Sequence, residues 1–367
     1  MSVLDWFRKQ YKQPATHYVH QAIDVKRVKL TKGVPDATKL ESGKHYLQVW
    51  LVEMFLANDR NWFADWHPAV HSAVDFEFGG KATTVTNVVG PSRLKDVDQK
   101  HLNRVVQQNL PLTTLMPFNG GTVGLTAGLV AMKGNDSVKQ LIQVLGDFGT
   151  LLAVPQLSAA VAVAAPLADG IAALVGATDG QLMLGIDKTF TAGGGGDNEL
   201  RAGYVAVIDE PDKALDREQL CVYDDRLQYG ETLETSKALE GRNYMLFRIQ
   251  CLDHRDDWDA LPSLQEPYKQ AIEMLKLNQI EQADLHLRTA IANALTAPEL
   301  TPDVDRKRVV AKLRTRYREA REELGAGAFT NLDTSLGALM KDAMSVEEAR
   351  IQPEVNASDV FAELAWR

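Results

Sequence analysis

The stretch that decides the fold runs from Asn119 to Asp187 and opens with NGGTVGLTAGLVAMKG, residues 119–134. Its first three residues are typical of a turn, because asparagine and glycine adopt positive φ at little cost. From Thr122 to Ala131, apolar side chains then alternate with glycine and threonine. A period of two predicts a β-strand with one buried face.

The pattern next changes to the period of a helix, for which Asn135 or Asp136 is a suitable cap. The predicted apolar stripe of this helix consists of Val138, Leu141, Ile142, Leu145 and Phe148. The longest apolar run follows, from Leu151 to Gly176, with Asp169 as its one charged residue. It has the roughly 20 apolar residues that a bilayer requires.

Two prolines, Pro155 and Pro166, interrupt this run, and alanine supplies much of its bulk. We therefore predict one or two short helices buried against a sheet. Two alternatives are a segment that inserts into a membrane after activation and a constitutive membrane span.

Strand patterns occur on both sides of the central stretch. Tyr46 to Leu56 is apolar on both faces, which predicts a strand at the centre of a sheet or between layers. One predicted face carries Tyr46, Trp50, Val52 and Met54, and the other carries Leu47, Val49, Leu51 and Phe55. The other predicted strands are Tyr18–Leu30, with a slip of phase typical of a bulge, Ala73–Phe78, Ala82–Val89, Gln181–Thr191, Ala202–Ile208, Leu220–Tyr223 and Tyr244–Cys251.

Many strands with few helices between them predict an α+β fold: a mainly antiparallel β-sandwich with inserted helices, followed by a small C-terminal helical module. The predicted domains are the sandwich at 1–261 with its insertion at about 135–178, the module at 262–325 and a tail at 326–367. A further helix is predicted at Lys95–Leu110. In the module, Asp303 or Asp305 opens the last helix and Gly325 with Gly327 closes it. The tail is typical of a mobile or partner-docking segment.

Composition limits the classes of function. The chain has 367 residues, 45% of them hydrophobic, and a net charge of -9, which argues against general affinity for nucleic acid phosphates. Its two cysteines, Cys221 and Cys251, are too few for a disulfide framework or a cysteine-built zinc site. Met1 to Tyr11 has no apolar core of signal-peptide length. We expect a cytoplasmic protein.

The densest acidic segment, Asp253–Asp259, has carboxylates that could hold a calcium ion or act in general acid–base chemistry. The spacing lacks the glycine and the terminal Glu of an EF-hand loop, so the favoured interpretation is a solvated loop that joins two domains, with an aspartate capping the next helix. His67 and His71 have a metal-binding spacing if they lie on a helix, but Pro68 predicts a loop. The weak metal candidates are Asp253, His254, Asp256, Asp257, His67 and His71. Gly193–Gly196 predicts a hairpin connection, since no P-loop helix start follows it.

The last helix is strongly basic and has one interleaved aromatic residue, Tyr317. Its density of Lys and Arg suits nucleic acid, or an acidic surface on this protein or on a partner. With a single aromatic residue it lacks the base-stacking part of a single-strand binding signature, so we expect nucleic acid to be an unlikely partner. The predicted partner-binding residues are Arg314, Arg318, Arg321, Phe361 and Trp366.

No motif for nucleophilic catalysis or cofactor binding is present in the sequence. The sequence therefore identifies no catalytic residue, no cofactor and no small-molecule substrate, which lowers the odds of an enzyme without excluding one. The favoured hypothesis is a non-enzymatic cytoplasmic interaction or assembly component that binds a protein partner or a second copy of itself. One alternative is a latent pore-forming effector, released to act on membranes when the C-terminal module is removed. The other is a metal-dependent hydrolase that uses the Asp253–Asp259 segment.

Overall fold

The computed structural model describes residues 18–57, 60–61, 64–89, 106–133, 181–209, 215–239 and 241–326. The contacts divide the chain into two units, Met1–Leu252 and Asp253–Arg367. The insertion predicted at about 135–178 and the tail after Ala326 lie outside the described residues. The same holds for Met1–Tyr11, Phe361 and Trp366.

The described part of the first unit consists of strands joined by turns and loops. These strands are β1 (Tyr18–Ala22), β2 (Val28–Lys29), β3 (Tyr46–Phe55), β4 (Arg60–Asn61), β5 (Ala64–Phe78), β6 (Lys81–Val89), β7 (Val106–Pro111), β8 (Met116–Pro117), β9 (Thr122–Lys133), β10 (Gln181–Thr191), β11 (Gly203–Asp209), β12 (Leu220–Tyr223), β13 (Arg226–Tyr229), β14 (Lys237–Ala238) and β15 (Tyr244–Leu252).

These strands form three sheets among the described residues. The central sheet has the order β1-β11-β15-β3-β7, with β8 also paired to β3. The second sheet has the order β10-β9-β5-β4, with β6 paired to β5, and the small sheet has the order β14-β13-β12-β2. Every pairing between these strands is antiparallel except that of β12 with β2. The predicted α+β class with mainly antiparallel sheets is confirmed.

The central sheet is buried on both faces. On one face, Phe247 of β15 belongs to a core cluster that includes Val74 and Leu125 of the second sheet. On the other face, Leu246 belongs to a cluster that includes Val222 of the small sheet. This two-sided burial explains why the inner strands β3, β11 and β15 are apolar at most positions, and it confirms the prediction for β3.

A β-bulge in β3 changes which residues share a face. Pairing with β15 shifts between Leu51 and Glu53, so Val52 is the extra residue. Met54 therefore faces the second sheet and Phe55 the small sheet. Simple alternation along the sequence predicts each of these two residues on the other face, and that prediction is wrong because alternation cannot detect an inserted residue.

Three other local predictions are corrected. Val106–Pro111, predicted as the end of a helix, is strand β7, because pairing with β3 overrides local propensity. Tyr18–Leu30 is not one strand: a 3-10 turn at Val25–Arg27 separates β1 in the central sheet from β2 in the small sheet. Gly193–Gly196 does not join a hairpin, because β10 and β11 lie in different sheets.

The described part of the second unit contains three α-helices: α1 (Pro262–Lys276), α2 (Ile280–Thr296) and α3 (Asp305–Ala326). Ala271, Ala283 and Ala290 are fully buried between them, which permits close approach of the helices. Trp258 and Leu261 belong to the same buried cluster as Ala290, and the second unit begins at Asp253. Within the described residues, none of the helices has the length and apolar character needed to cross a bilayer.

Candidate functional site

The acidic segment Asp253–Asp259 is built around a buried arginine. Arg255 is 1% exposed, and its Nε and Nη2 donate to the two carboxylate oxygens of Asp257 at 2.7 and 2.8 Å. Its Nη1 donates to the carbonyl of Glu299 at 3.3 Å. Burial raises the pKa of Asp257, but the hydrogen bonds and charge of Arg255 outweigh burial and leave this pKa below its usual value. Asp257 is therefore part of a structural ion pair with Arg255 rather than an unpaired carboxylate.

The start of α3 closes the same network. Asp305, the first residue of this helix, is fully buried and accepts a hydrogen bond from the backbone N–H of Arg255 at 3.0 Å. Arg308 Nε donates to Asp305 at 2.6 Å, and Arg308 Nη2 donates to the Arg255 carbonyl at 2.6 Å. These bonds fasten the acidic segment to a helix that begins fifty residues later in the chain.

Two further carboxylates of the segment also lie near arginines of α3. Arg316 Nη1 donates to Asp259 at 3.4 Å, and its guanidinium lies 4.8 Å from the centre of the Trp258 ring. Asp256, which is well exposed, lies 3.3 Å from His254 Nε2 and 4.0 Å from Arg308. Part of the basic face of α3 thus meets an acidic surface of this protein, which was one of the predicted alternatives.

The weak metal candidates do not form a ligand set in the described part of the chain. No group of three or more His, Cys, Asp or Glu side chains there is arranged to hold a metal ion. His67 and His71 both lie in β5, where residues four apart are separated by about 13 Å. The extended backbone therefore removes the helical i,i+4 spacing on which this metal prediction depended.

The loop predicted around Pro68 is a strand instead. Pro68 pairs with Ala131 of β9, whereas the ladder between β5 and β6 begins only at Val70. On the side of β5 that faces away from β9, no described strand pairs with Pro68. The position therefore tolerates proline, which has no backbone N–H to donate to such a strand. His71 is buried, and loss of solvent lowers its pKa to about 3, so the imidazole is neutral at physiological pH.

The predicted partner-binding arginines lie along α3. Arg314 is half-buried, whereas Arg318 and Arg321 are exposed. Tyr317 Oη donates to Asp284 of α2 at 2.5 Å, and Arg306 donates to the carbonyl of Ala297 at 2.9 Å near the other end of that helix. Helix α3 therefore runs antiparallel to α2. Its last two turns lie at the same end of the helical unit as the turn between α1 and α2.

That end of the helical unit carries exposed leucines as well as arginines. Leu277, in the turn after α1, is 62% exposed, and Leu324, in the last turn of α3, is 37% exposed. We call the set Leu277, Leu324, Arg318 and Arg321 the module-end surface. The exposed residues Glu322 and Glu323 border it. The surface combines apolar contact area with groups that form directional hydrogen bonds.

One chemically distinctive residue was missed by the sequence analysis. Glu53 in β3 is 1% exposed, and its Oε2 accepts a hydrogen bond of 2.7 Å from the Leu227 backbone N–H in β13. Loss of solvent raises the pKa of this carboxyl to about 7, against the smaller lowering effects of Leu227, Tyr244 and Arg226. The available signal was that Glu53 is the only charged residue in the apolar run Tyr46–Leu56.

Comparison of the chain with protein-family models, curated proteins and solved structures finds no match in any of the three.

Proposed function

We propose that the chain is a non-enzymatic cytoplasmic protein that binds a protein partner, or a second copy of itself, through the module-end surface. The observation that supports this proposal is that several acidic groups of the second unit form internal ion pairs, whereas the residues of the module-end surface are exposed. Asp257, Asp259 and Asp305 are paired with arginines that hold the unit together. These groups stabilise the scaffold, and the exposed leucines and arginines at its end remain accessible for contact.

The composition of the module-end surface suits a protein interface. Two leucine side chains of this surface are 62% and 37% exposed. A bound partner would remove their apolar area from water, which favours association. Arginine is enriched in interfaces because its guanidinium forms several hydrogen bonds with a planar geometry. The rigid helices below this surface would keep the ordering cost of binding low.

A pull-down with the tagged full-length chain from its native host tests the proposal. The double substitution Leu277→Asp with Leu324→Asp places two charges in the surface. Val34→Asp is the matched control, because Val34 is a highly exposed apolar residue of the first unit. We expect the wild type and the control to retain the same protein and the double variant to lose it. Sedimentation of the three purified proteins tests the case in which the partner is a second copy.

The proposal fails if the double variant, folded as judged by circular dichroism, retains every partner and the wild-type association state. It also fails if the purified chain turns over a substrate and a single carboxylate or histidine substitution abolishes that turnover without unfolding the protein. The second result would favour the hydrolase alternative.

A further inference from the structure

The bulge in β3 places a carboxylate between two layers of the first unit. Because Val52 is an extra residue, Glu53 points to the small sheet, where a regular alternation would direct it toward the second sheet. Its Oε2 accepts the N–H of Leu227, a residue 174 positions later in the chain. The side chain thus makes a direct polar connection from the central sheet to the small sheet.

The surroundings of this carboxylate are mainly apolar. Val52, Phe55 and Leu246 of the central sheet and Leu227 of the small sheet belong to one buried cluster. The titratable and charged groups that act on Glu53 are Tyr244 of β15, Asp225 in the turn between β12 and β13, and Arg226, the first residue of β13. Asp225 is itself held by Tyr204 Oη at 2.5 Å and by Arg248 at 3.2 Å. Arg226 alone does not compensate the cost of burying a charge at Glu53.

We propose that Glu53 is a proton-controlled latch that holds the small sheet on the central sheet. The latch is closed when the carboxyl is protonated and is weakened when the carboxyl ionises. In the protonated form, the carbonyl oxygen accepts the Leu227 N–H, and a neutral group occupies the apolar interface. In the ionised form the same hydrogen bond must stabilise a buried negative charge. Separation of the small sheet exposes this charge to water, so ionisation favours the open state.

The pH range follows from the two titration points of Glu53. Its pKa is about 7 in the closed state and returns toward the ordinary value of 4.5 when the residue meets water. Between these values the open state releases a proton that the closed state retains, so the opening equilibrium rises about tenfold per pH unit. Below this range both states are protonated and above it both are ionised, so the equilibrium is constant at either extreme. The small sheet is therefore held most firmly at acidic pH.

Hydrogen exchange of the full-length chain, followed by mass spectrometry between pH 5 and pH 8, tests this proposal. After correction for the intrinsic exchange rate, amides of β12 and β13 in the wild type should lose protection about tenfold per pH unit up to about pH 7. Amides of β9 provide the internal control and should show no such trend. Glu53→Gln is the matched variant, because its amide oxygen can still accept the Leu227 N–H but does not titrate.

In Glu53→Gln the protection of β12 and β13 should be independent of pH. Three results would overturn the proposal: wild-type protection that does not change with pH, a Glu53→Gln variant with the wild-type slope, or a parallel loss of protection in β9. The last would mean that the whole unit opens rather than the small sheet. The wild-type series decides the matter by itself if the variant does not fold.

Discussion

Replacing Arg255 with alanine should destabilise the helical unit strongly, because this side chain connects the acidic segment to the rest of the unit. Loss of the two hydrogen bonds to Asp257 should cost about 1–2 kcal/mol, since that carboxylate is half exposed and water can solvate it. The Glu299 carbonyl loses a donor in a buried position, at a cost of about 1 kcal/mol. Removal of two buried methylene groups adds about 1.6 kcal/mol.

The sum is about 4 kcal/mol, a large part of the roughly 5–15 kcal/mol that stabilises an ordinary domain. Urea unfolding followed by far-ultraviolet circular dichroism measures it through the loss of helix signal. Arg318→Ala is the matched control, since it removes an exposed arginine from α3 and should change stability by no more than about 0.5 kcal/mol. Arg255→Lys should be intermediate, because lysine keeps the charge but cannot bond both oxygens of Asp257 at once.

Equal unfolding midpoints for Arg255→Ala and Arg318→Ala would refute this reasoning. Such a result would mean that the buried network contributes nothing beyond what water supplies to the separated groups. The predicted solvated loop between domains would then describe the energetics of Asp253–Asp259 better than the packed network does.

Two further substitutions test the packing of the small sheet and of the helices. Gly230→Ala would place a Cβ 2.7 Å from Ser236 Cα, so thermal unfolding should show a loss of stability of about 1–3 kcal/mol. Gly325→Ala is the control, because its Cβ would meet no atom within 4 Å and should cause no loss. Equal unfolding temperatures for the two variants would contradict this prediction. Tyr317→Phe removes the hydrogen bond to Asp284 and should cost about 1–2 kcal/mol in urea unfolding, and an unchanged midpoint would show that this bond contributes no net stability.

The sequence alone predicted most of the regular structure, because hydrophobic periodicity is a local property of the chain. The bounds of β10 and β12 agree with their predictions at both ends, and α3 begins at Asp305 as one of the two predicted caps indicated. The apolar character of β3 on both faces predicted a layer on each side of it, and both clusters exist. The α+β class follows from such patterns without any knowledge of contacts.

Only the tertiary structure determines which residues of these elements contact and pair with one another. Nothing local distinguishes an acidic loop from an acidic segment paired with a helix far along the chain, so the roles of Arg255 and Asp305 became visible only in the fold. Likewise, the bulge at Val52 depends on pairing with β15, and without it Glu53 would face the other layer. Periodicity determines which residues are buried, whereas partners distant in the sequence determine which buried groups are paired, neutral or poised to titrate.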